Sequence, residues 1–170
     1  MFGYLFLDKF KPIKFELFEW YPSPQIIFEF YLDGLSGVMM ILISGLSLVI
    51  QLFSTSYMSK DEKYTKYFEY FNFFVFSMLL LVLSGNFLVM FFGWELVGLS
   101  SYLLISFWYE KNSAAKAGNK AFILNRIGDF GFLIGLMMIL NYFETFNFVN
   151  IFESVLILSL IHISEPTRPR

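Results

Sequence analysis

The sequence has no cysteine, and His162 is the single histidine among its 170 residues. Without cysteine there can be no disulfide bond or thiolate-bound metal, and one histidine near the end argues against a histidine-based metal site or catalytic triad. No G-x-G-x-x-G or P-loop pattern occurs, so these nucleotide-binding motifs are also missing. The net charge of −2 gives no sign of a nucleic-acid partner.

Charged residues are also scarce. They make up 15% of the chain, whereas 57% is hydrophobic and 22% aromatic. Soluble domains are nearer a quarter charged, and one of this size could not bury so much apolar surface. The composition therefore predicts a membrane protein, with membrane lipid as its surroundings. The heavy use of phenylalanine, tyrosine and methionine is what an A/T-rich genome encodes, which hints at a mitochondrial origin.

Apolar runs long enough to cross a bilayer recur along the chain. The run 35–53 would cover about 28 Å as a helix, close to one hydrocarbon core. The run 71–108 would cover roughly 57 Å, so it must fold back, and the turn residues at 84–86 are suited to that. We therefore predict an all-α polytopic membrane fold with about four transmembrane helices, at about 35–53, 71–84, 87–108 and 117–142.

The regions outside these spans indicate their orientation. Residues 1–31 alternate aromatic and charged side chains, which predicts a polar-aromatic segment at the membrane interface. The connections 54–70 and 109–120 lie on one side in this topology. They carry more lysine than the opposite side, so the positive-inside rule places them on the matrix or cytoplasmic side.

Glu95 is the one charged residue in the apolar stretch "FFGWELVGLSSYLLISFW", residues 91–108. A charge near mid-membrane costs a few kcal/mol, so it must face protein or water or be protonated. Desolvation and a nearby cation shift a carboxyl pKa in opposite directions, and a balance between them suits a proton relay. Tyr102 shares a helix face with Glu95 and could supply polar support. The alternative is that Glu95 only pairs structurally with a neighbouring helix.

A second polar group lies on the following helix, in "KAFILNRIGDFGFLIG", residues 120–135. Arg126 and Asp129 are spaced i, i+3 and can pair on one helix face. Asn125 and Lys120 extend this polar stripe and are candidates for further support. The alternative is an interfacial salt bridge that only fixes the depth of the helix.

The block "GWELVGLSSYLL" and the later "NRIGD" together resemble the antiporter-like membrane subunits of respiratory complex I, in particular the mitochondrially encoded subunit 5 family. The resemblance covers about residues 30–146, and the chain is then a fragment of a larger helical bundle. It implies that Glu95 is the family's membrane glutamate, with Arg126 and Asp129 as its charged pair in proton translocation. The family's key lysines would lie beyond this chain.

The resemblance implies a proton-translocating membrane-arm subunit of NADH–ubiquinone oxidoreductase, whose partners are the other membrane-arm subunits. The chain would carry no redox site or cofactor of its own. NADH, FMN, iron–sulfur clusters and ubiquinone would be bound by partner subunits, and the location would be the mitochondrial inner membrane or, alternatively, a bacterial plasma membrane. The rival functions are a subunit of a multisubunit Na⁺/H⁺ antiporter and a structural membrane fragment.

The two ends of the fragment are expected to differ from its centre. Residues 32–146 form the antiporter-like transmembrane unit, and residues 147–158 begin a connecting segment. Residues 159–170 do not continue the family pattern and are similar to tails produced by translated adapter DNA. We predict that this tail, which includes His162, is not native.

Overall fold

The computed structural model describes residues 12–22 and 25–163. Two strands are followed by five helices in this part of the chain, and the bounds of all seven elements are as follows. They are β1 (Ile13–Pro22), β2 (Gln25–Leu32), α1 (Gly34–Tyr57), α2 (Tyr64–Val82), α3 (Phe87–Ile105), α4 (Asn112–Phe143) and α5 (Phe148–Ile163).

Helix α1 begins with a capping box. Asp33 accepts a hydrogen bond from the Ser36 backbone N–H at 2.7 Å, and the Ser36 hydroxyl oxygen accepts one from the Asp33 N–H at 2.7 Å. Two of the backbone donors at the helix start are thereby satisfied. Asp33, which lies just before the first predicted span, is therefore the residue that sets where this helix begins.

Helices α1 and α2 run antiparallel and are joined by polar contacts. Gln51 donates a hydrogen bond to Asn72 at 2.6 Å, and the hydroxyls of Ser54 and Tyr67 are 3.1 Å apart. Such side-chain hydrogen bonds between helices add to packing where the surroundings are apolar. They keep the two helices in one register.

The turn between α2 and α3 is the point at which the long apolar run folds back. Asn86 caps α3 by accepting a hydrogen bond from the Val89 backbone N–H at 2.8 Å. Helix α4 follows α3 in antiparallel orientation and ends at Glu144, whose left-handed backbone has φ 55°. The helices α1 to α4 thus form a row in which each packs on the next.

The helical membrane fold expected from the sequence is confirmed. Within residues 12–22 and 25–163, three helices are long and apolar enough to cross a membrane by length and composition: α1, α3 and α4. Helix α2, the second of four predicted spans, is not among them, and its N-terminal half carries Lys66, Glu69 and Asn72. The fourth span stays a prediction, supported by the packing of α2 between α1 and α3.

An antiparallel β-hairpin, which the composition did not reveal, precedes the helices and lies mostly within the segment predicted to be interfacial. Strands β1 and β2 pair from Ile13–Leu32 to Pro22–Gln25, with irregularities near Phe18 and Tyr21. Backbone hydrogen bonds attach the hairpin to the α2–α3 turn: the Tyr31 N–H donates to the Leu83 carbonyl at 2.8 Å. Residues 1–11 and the side chain of Trp20 lie outside the described residues.

Helix bounds differ from the predicted spans mainly at the polar ends. Helix α2 begins at Tyr64, seven residues before position 71, and α4 begins at Asn112 rather than 117. Polar residues can be helical outside the hydrocarbon, so hydropathy underestimates helix length. Helix α5 occupies the connecting segment 147–158 and continues to Ile163, whereas residues 164–170 lie outside the described residues.

Candidate functional site

The α3–α4 interface brings two predicted site residues into direct contact. Glu95 lies at the centre of α3, and its side chain is 17% exposed. Arg126 reaches it from α4, with Nη1 donating to the Glu95 Oε2 oxygen in an ion pair. The acid in the apolar run is therefore neither isolated nor turned toward open surroundings.

Asp129 completes this group of charges. Its side chain is 8% exposed, and its Oδ2 atom is 3.9 Å from the Arg126 Nη1 atom. Its other oxygen, Oδ1, accepts a hydrogen bond from the indole N–H of Trp94 at 2.9 Å. We call Trp94, Glu95, Arg126 and Asp129 the membrane cluster, because it lies midway along α3, a candidate membrane span.

Small residues let the helices approach closely enough to form the membrane cluster. A Cβ atom added at Gly93 would lie 2.7 Å from the Leu81 backbone of α2, and one added at Gly118 would lie 2.8 Å from the Cβ atom of Ser106, the C-cap of α3. Glycine at such positions permits the close helix contacts that membrane proteins favour. Ring stacking of Phe91 on Phe132, with centroids 5.5 Å apart, adds to the α3–α4 contact.

The predicted support residues lie around the membrane cluster rather than in it. The amide nitrogen of Asn125 is 3.6 Å from where a Cβ would stand at Gly98, so Asn125 faces α3. The ring of Tyr102 packs on Phe122, with centroids 5.3 Å apart, and no hydrogen bond joins its hydroxyl to Glu95 among the described residues. Lys120 is exposed.

A second group of residues, similar in chemistry to the membrane cluster, joins two interhelical connections at one end of the helices. Lys63 pairs with Glu110 at 2.7 Å, and the Trp108 indole N–H donates to Asp61 Oδ2 at 3.1 Å. We call these four residues the loop cluster. It joins the α1–α2 connection to the α3–α4 connection, the two segments that the lysine count assigns to one side of the membrane.

Local hydrogen bonds shift two pKa values in the loop cluster. The Lys63 backbone N–H and the Trp108 indole lower the pKa of Asp61 from its usual range by stabilising the carboxylate. The hydrogen bond to Glu110 raises the pKa of Lys63. Both groups therefore stay charged near neutral pH.

Glu29 of β2 is a buried carboxyl at the opposite end of the helices, 4% exposed. Its Oε1 atom accepts a hydrogen bond from the Asn147 amide at 2.5 Å, and its backbone carbonyl accepts one from the Gly85 N–H at 3.0 Å. Burial raises the pKa of Glu29, Lys14 partly opposes this, and Glu16 adds to it. With Glu144, it lines a polar cavity of about 270 Å³.

Two contributors to these sites were not found from the sequence. Trp94 stands next to Glu95 in the "GWE" motif, but only the rotation of α3 against α4 shows that its indole meets Asp129. Glu29 falls in the segment predicted to lie at the membrane interface, and its burial by the hairpin did not follow from the sequence. Within residues 12–22 and 25–163, no three histidine, aspartate or glutamate side chains come together as a metal site.

The arrangement brings one cation and one neutral donor to two carboxylates within candidate membrane helices. The Arg126 guanidinium pairs with Glu95 and lies 3.9 Å from Asp129, and the Trp94 indole N–H donates a hydrogen bond to Asp129. A carboxyl binds its proton more weakly when a cation is near and more tightly when the cation withdraws. Arg126 is the cation in contact with Glu95, so its position is what such an exchange of the proton would depend on.

Two family models match the chain. Residues 20–68 match the N-terminus of chain 5 of complex I, NADH–ubiquinone oxidoreductase. Residues 84–165 match the transmembrane domain shared by NADH:quinone oxidoreductase and the Mrp antiporter. The chain belongs to the subunit 5 family of complex I. The second match contains all of the membrane cluster and also reaches into residues 159–170, whose foreign origin stays a prediction.

Relatives of this subunit 5 family agree with the assignment. The chain is 42% identical over 147 residues to NADH-quinone oxidoreductase subunit L of Mycobacterium tuberculosis (strain ATCC 25618 / H37Rv), covering 85% of the chain and 23% of the relative. It is 43% identical over 136 residues to the chloroplastic NAD(P)H-quinone oxidoreductase subunit 5 of Anthoceros angustus, covering 79% and 19%. The chain thus spans about a fifth of the length of these curated relatives.

Proposed function

We propose that this chain is part of a proton-translocating membrane-arm subunit of NADH–quinone oxidoreductase, in which Glu95 carries the proton. One observation carries the proposal: a carboxyl at the centre of a candidate membrane helix is paired with an arginine that a second, buried carboxyl also approaches. Ionisable groups at membrane depth mark ion or proton pathways far more often than they serve packing.

The geometry supports a role for Arg126 as the group that sets the charge state of Glu95. When the guanidinium is on Glu95, the carboxylate is stabilised and the proton is released. When it moves toward Asp129, one helical turn along α4, Glu95 is left without a cation and takes up a proton. Asp129 then acts as the second resting position of the arginine, and the two residues work as a unit.

The wider assignment rests on the names of the relatives and on composition. The partners are the other membrane-arm subunits of the complex, and membrane lipid surrounds the helices. NADH, FMN, iron–sulfur clusters and ubiquinone belong to partner subunits, so this chain contributes to an oxidoreductase without a redox site of its own. The aromatic, A/T-type composition favours the mitochondrial inner membrane, and a bacterial plasma membrane is the alternative.

The test is Glu95→Gln in the full-length subunit within the assembled complex. Glutamine keeps the size and hydrogen bonding of the side chain but cannot ionise. We expect assembly to survive and the number of protons pumped per NADH oxidised to fall, with quinone reduction falling too if coupling is tight. A matched control is Glu110→Gln, which removes the carboxylate of the loop cluster. Unchanged pumping in an assembled Glu95→Gln complex would show that Glu95 is structural.

A second candidate function is a subunit of a multisubunit Na⁺/H⁺ antiporter. It is favoured by the family description that covers residues 84–165, which names the Mrp antiporter beside the oxidoreductase. The membrane cluster would serve either function, because both need a carboxyl that takes up and releases a proton. Sodium-driven proton movement by the full-length protein without NADH would support this candidate over the first.

A further inference from the structure

The side chain of Trp94 is 51% exposed, and it nevertheless makes two specific contacts with α4. Its indole N–H donates to Asp129 Oδ1 at 2.9 Å, and its ring lies parallel to that of Phe132, with centroids 6.3 Å apart. At membrane depth no water is present to satisfy an indole N–H, so the bond to the buried Asp129 carboxylate both satisfies this donor and fixes the indole against α4.

The indole affects which of two carboxylates, Glu95 or Asp129, the Arg126 guanidinium contacts. Asp129 lies at i+3 from Arg126 on α4, a spacing at which such side chains commonly pair. In the structure, however, the guanidinium contacts Glu95 on α3, and Asp129 Oδ2 is 3.9 Å away. The neutral indole N–H donates one hydrogen bond to the Asp129 carboxylate. The carboxylate is thereby partly stabilised without a cation, so it attracts Arg126 less strongly.

We propose that Trp94 is a positioning residue that holds Asp129 by its indole N–H and thereby directs Arg126 to Glu95. The proposal rests on the proposed function, since it concerns the cation that sets the charge of Glu95. Without the indole, Asp129 draws the guanidinium along its own helix. Glu95 then loses its cation and holds its proton more tightly.

No other charge among the described residues competes for this role. On α2, which packs against the other side of α3, the charged side chains are Lys66 and Glu69 in the first two turns, at the end of the loop cluster. On α5, which contacts α3 through Phe87 and Phe148, the charged residue among the described side chains is the exposed Glu153. On α4 itself, Lys116 and Lys120 are exposed, whereas Arg126 pairs with Glu95 and also lies near Asp129.

The experiment is Trp94→Phe in the full-length subunit of the assembled complex, with the pH profile of proton pumping as the readout. Phenylalanine keeps an aromatic ring beside Phe132 and removes the N–H donor together with the second ring of the indole. We expect the acid limb of the profile to move to higher pH by about half a unit or more, because Glu95 releases its proton less readily. Trp108→Phe is the matched control, since it removes an indole donor from Asp61 in the loop cluster, and its profile should not move.

A second variant separates positioning from structure. Asparagine at 129 carries no charge to attract Arg126, so Trp94→Phe added to Asp129→Asn should not shift the profile further. If Trp94→Phe alone does not assemble, adding Asp129→Asn must restore assembly. A further shift in the double variant, or assembly that Asp129→Asn does not restore, overturns the proposal.

The outcomes also separate this inference from the proposed function. Loss of pumping in Glu95→Gln together with a wild-type profile in Trp94→Phe refutes the role of Trp94 and leaves Glu95 as the proton carrier. Unchanged pumping in Glu95→Gln refutes the proposed function itself. A shifted profile in Trp94→Phe, abolished by Asp129→Asn, supports both.

Discussion

The membrane cluster and the loop cluster contain the same kinds of group in two different settings. Each has one aspartate, one glutamate, one cation and one tryptophan whose indole N–H donates to the aspartate. In each, the cation pairs with the glutamate across two segments of chain. The difference is the surroundings, because Glu110 is 72% exposed and Glu95 only 17%.

This difference decides what each cluster can do. Water screens the exposed groups of the loop cluster, so their ion pair contributes little to stability. In the membrane cluster less water screens the charges, so each charge interacts more strongly with its neighbours. The same chemistry joins two interhelical connections in the loop cluster, and in the membrane cluster we propose that it serves proton transfer.

Of the substitutions considered, removing the cation should give the largest difference in proton pumping between the two clusters. In the assembled complex, we expect Arg126→Gln to lower proton pumping at least tenfold, because Glu95 and Asp129 lose the only cation that faces them among the described residues. Lys63→Gln makes the matching change in the loop cluster and should leave pumping unchanged within error. Equal effects of the two substitutions on proton-to-electron stoichiometry would contradict this comparison.

Gly93 tests the packing beside the membrane cluster, because it lies where α3 contacts the Leu81 backbone of α2. Gly93→Ala places a Cβ 2.7 Å from the Leu81 backbone, and we expect it to destabilise the protein by about 1–3 kcal/mol through overpacking. Gly98→Ala is the control on the same helix, since its Cβ meets only an ordinary contact at 3.6 Å. The measurement is thermal unfolding of the two purified variants. Equal stability of Gly93→Ala and Gly98→Ala would contradict the prediction, because it would show that α2 and α3 accommodate the added methyl group.

Glu29 extends the comparison to a carboxyl that is buried without an ion pair. Burial raises its pKa above the ordinary value of 4.5, so its contribution to hairpin docking is fully present below pH 4.5 and is lost as pH rises through the raised pKa. The hydrogen-exchange protection of the Tyr31 amide, which donates to Leu83, should fall over that range. In Glu29→Gln this dependence on pH should disappear, and a protection factor that stays constant in the unaltered protein would contradict the prediction.

The length and charge of apolar runs were enough to predict the helices. The fold-back at residues 84–86 follows from a run nearly twice as long as a bilayer is thick, and Glu95 stands out as the acid inside it. The helices begin at Tyr64 and Asn112, before the predicted spans that start at 71 and 117, because polar residues outside the hydrocarbon extend a helix without raising its hydropathy.

Contacts between elements could not be read from spacing. The i, i+3 rule predicts that Arg126 pairs with Asp129, yet the rotation and register of α3 against α4 bring Glu95 nearer. Likewise, strand residues such as Phe15 and Phe18 look like interfacial aromatics, and their pairing with β2 depends on a partner strand that hydropathy does not reveal. Glu29 becomes buried only because that hairpin docks on the α2–α3 turn.

The most direct measurement of the central claim is infrared difference spectroscopy of the full-length complex during turnover. If Glu95 takes up and releases the transported proton, the C=O stretching band of a protonated carboxyl should appear and disappear with each cycle. That band should be lost in Glu95→Gln and kept in Glu110→Gln, whose carboxyl is in the loop cluster. Difference spectra that are identical in Glu95→Gln and the unaltered complex would contradict the account.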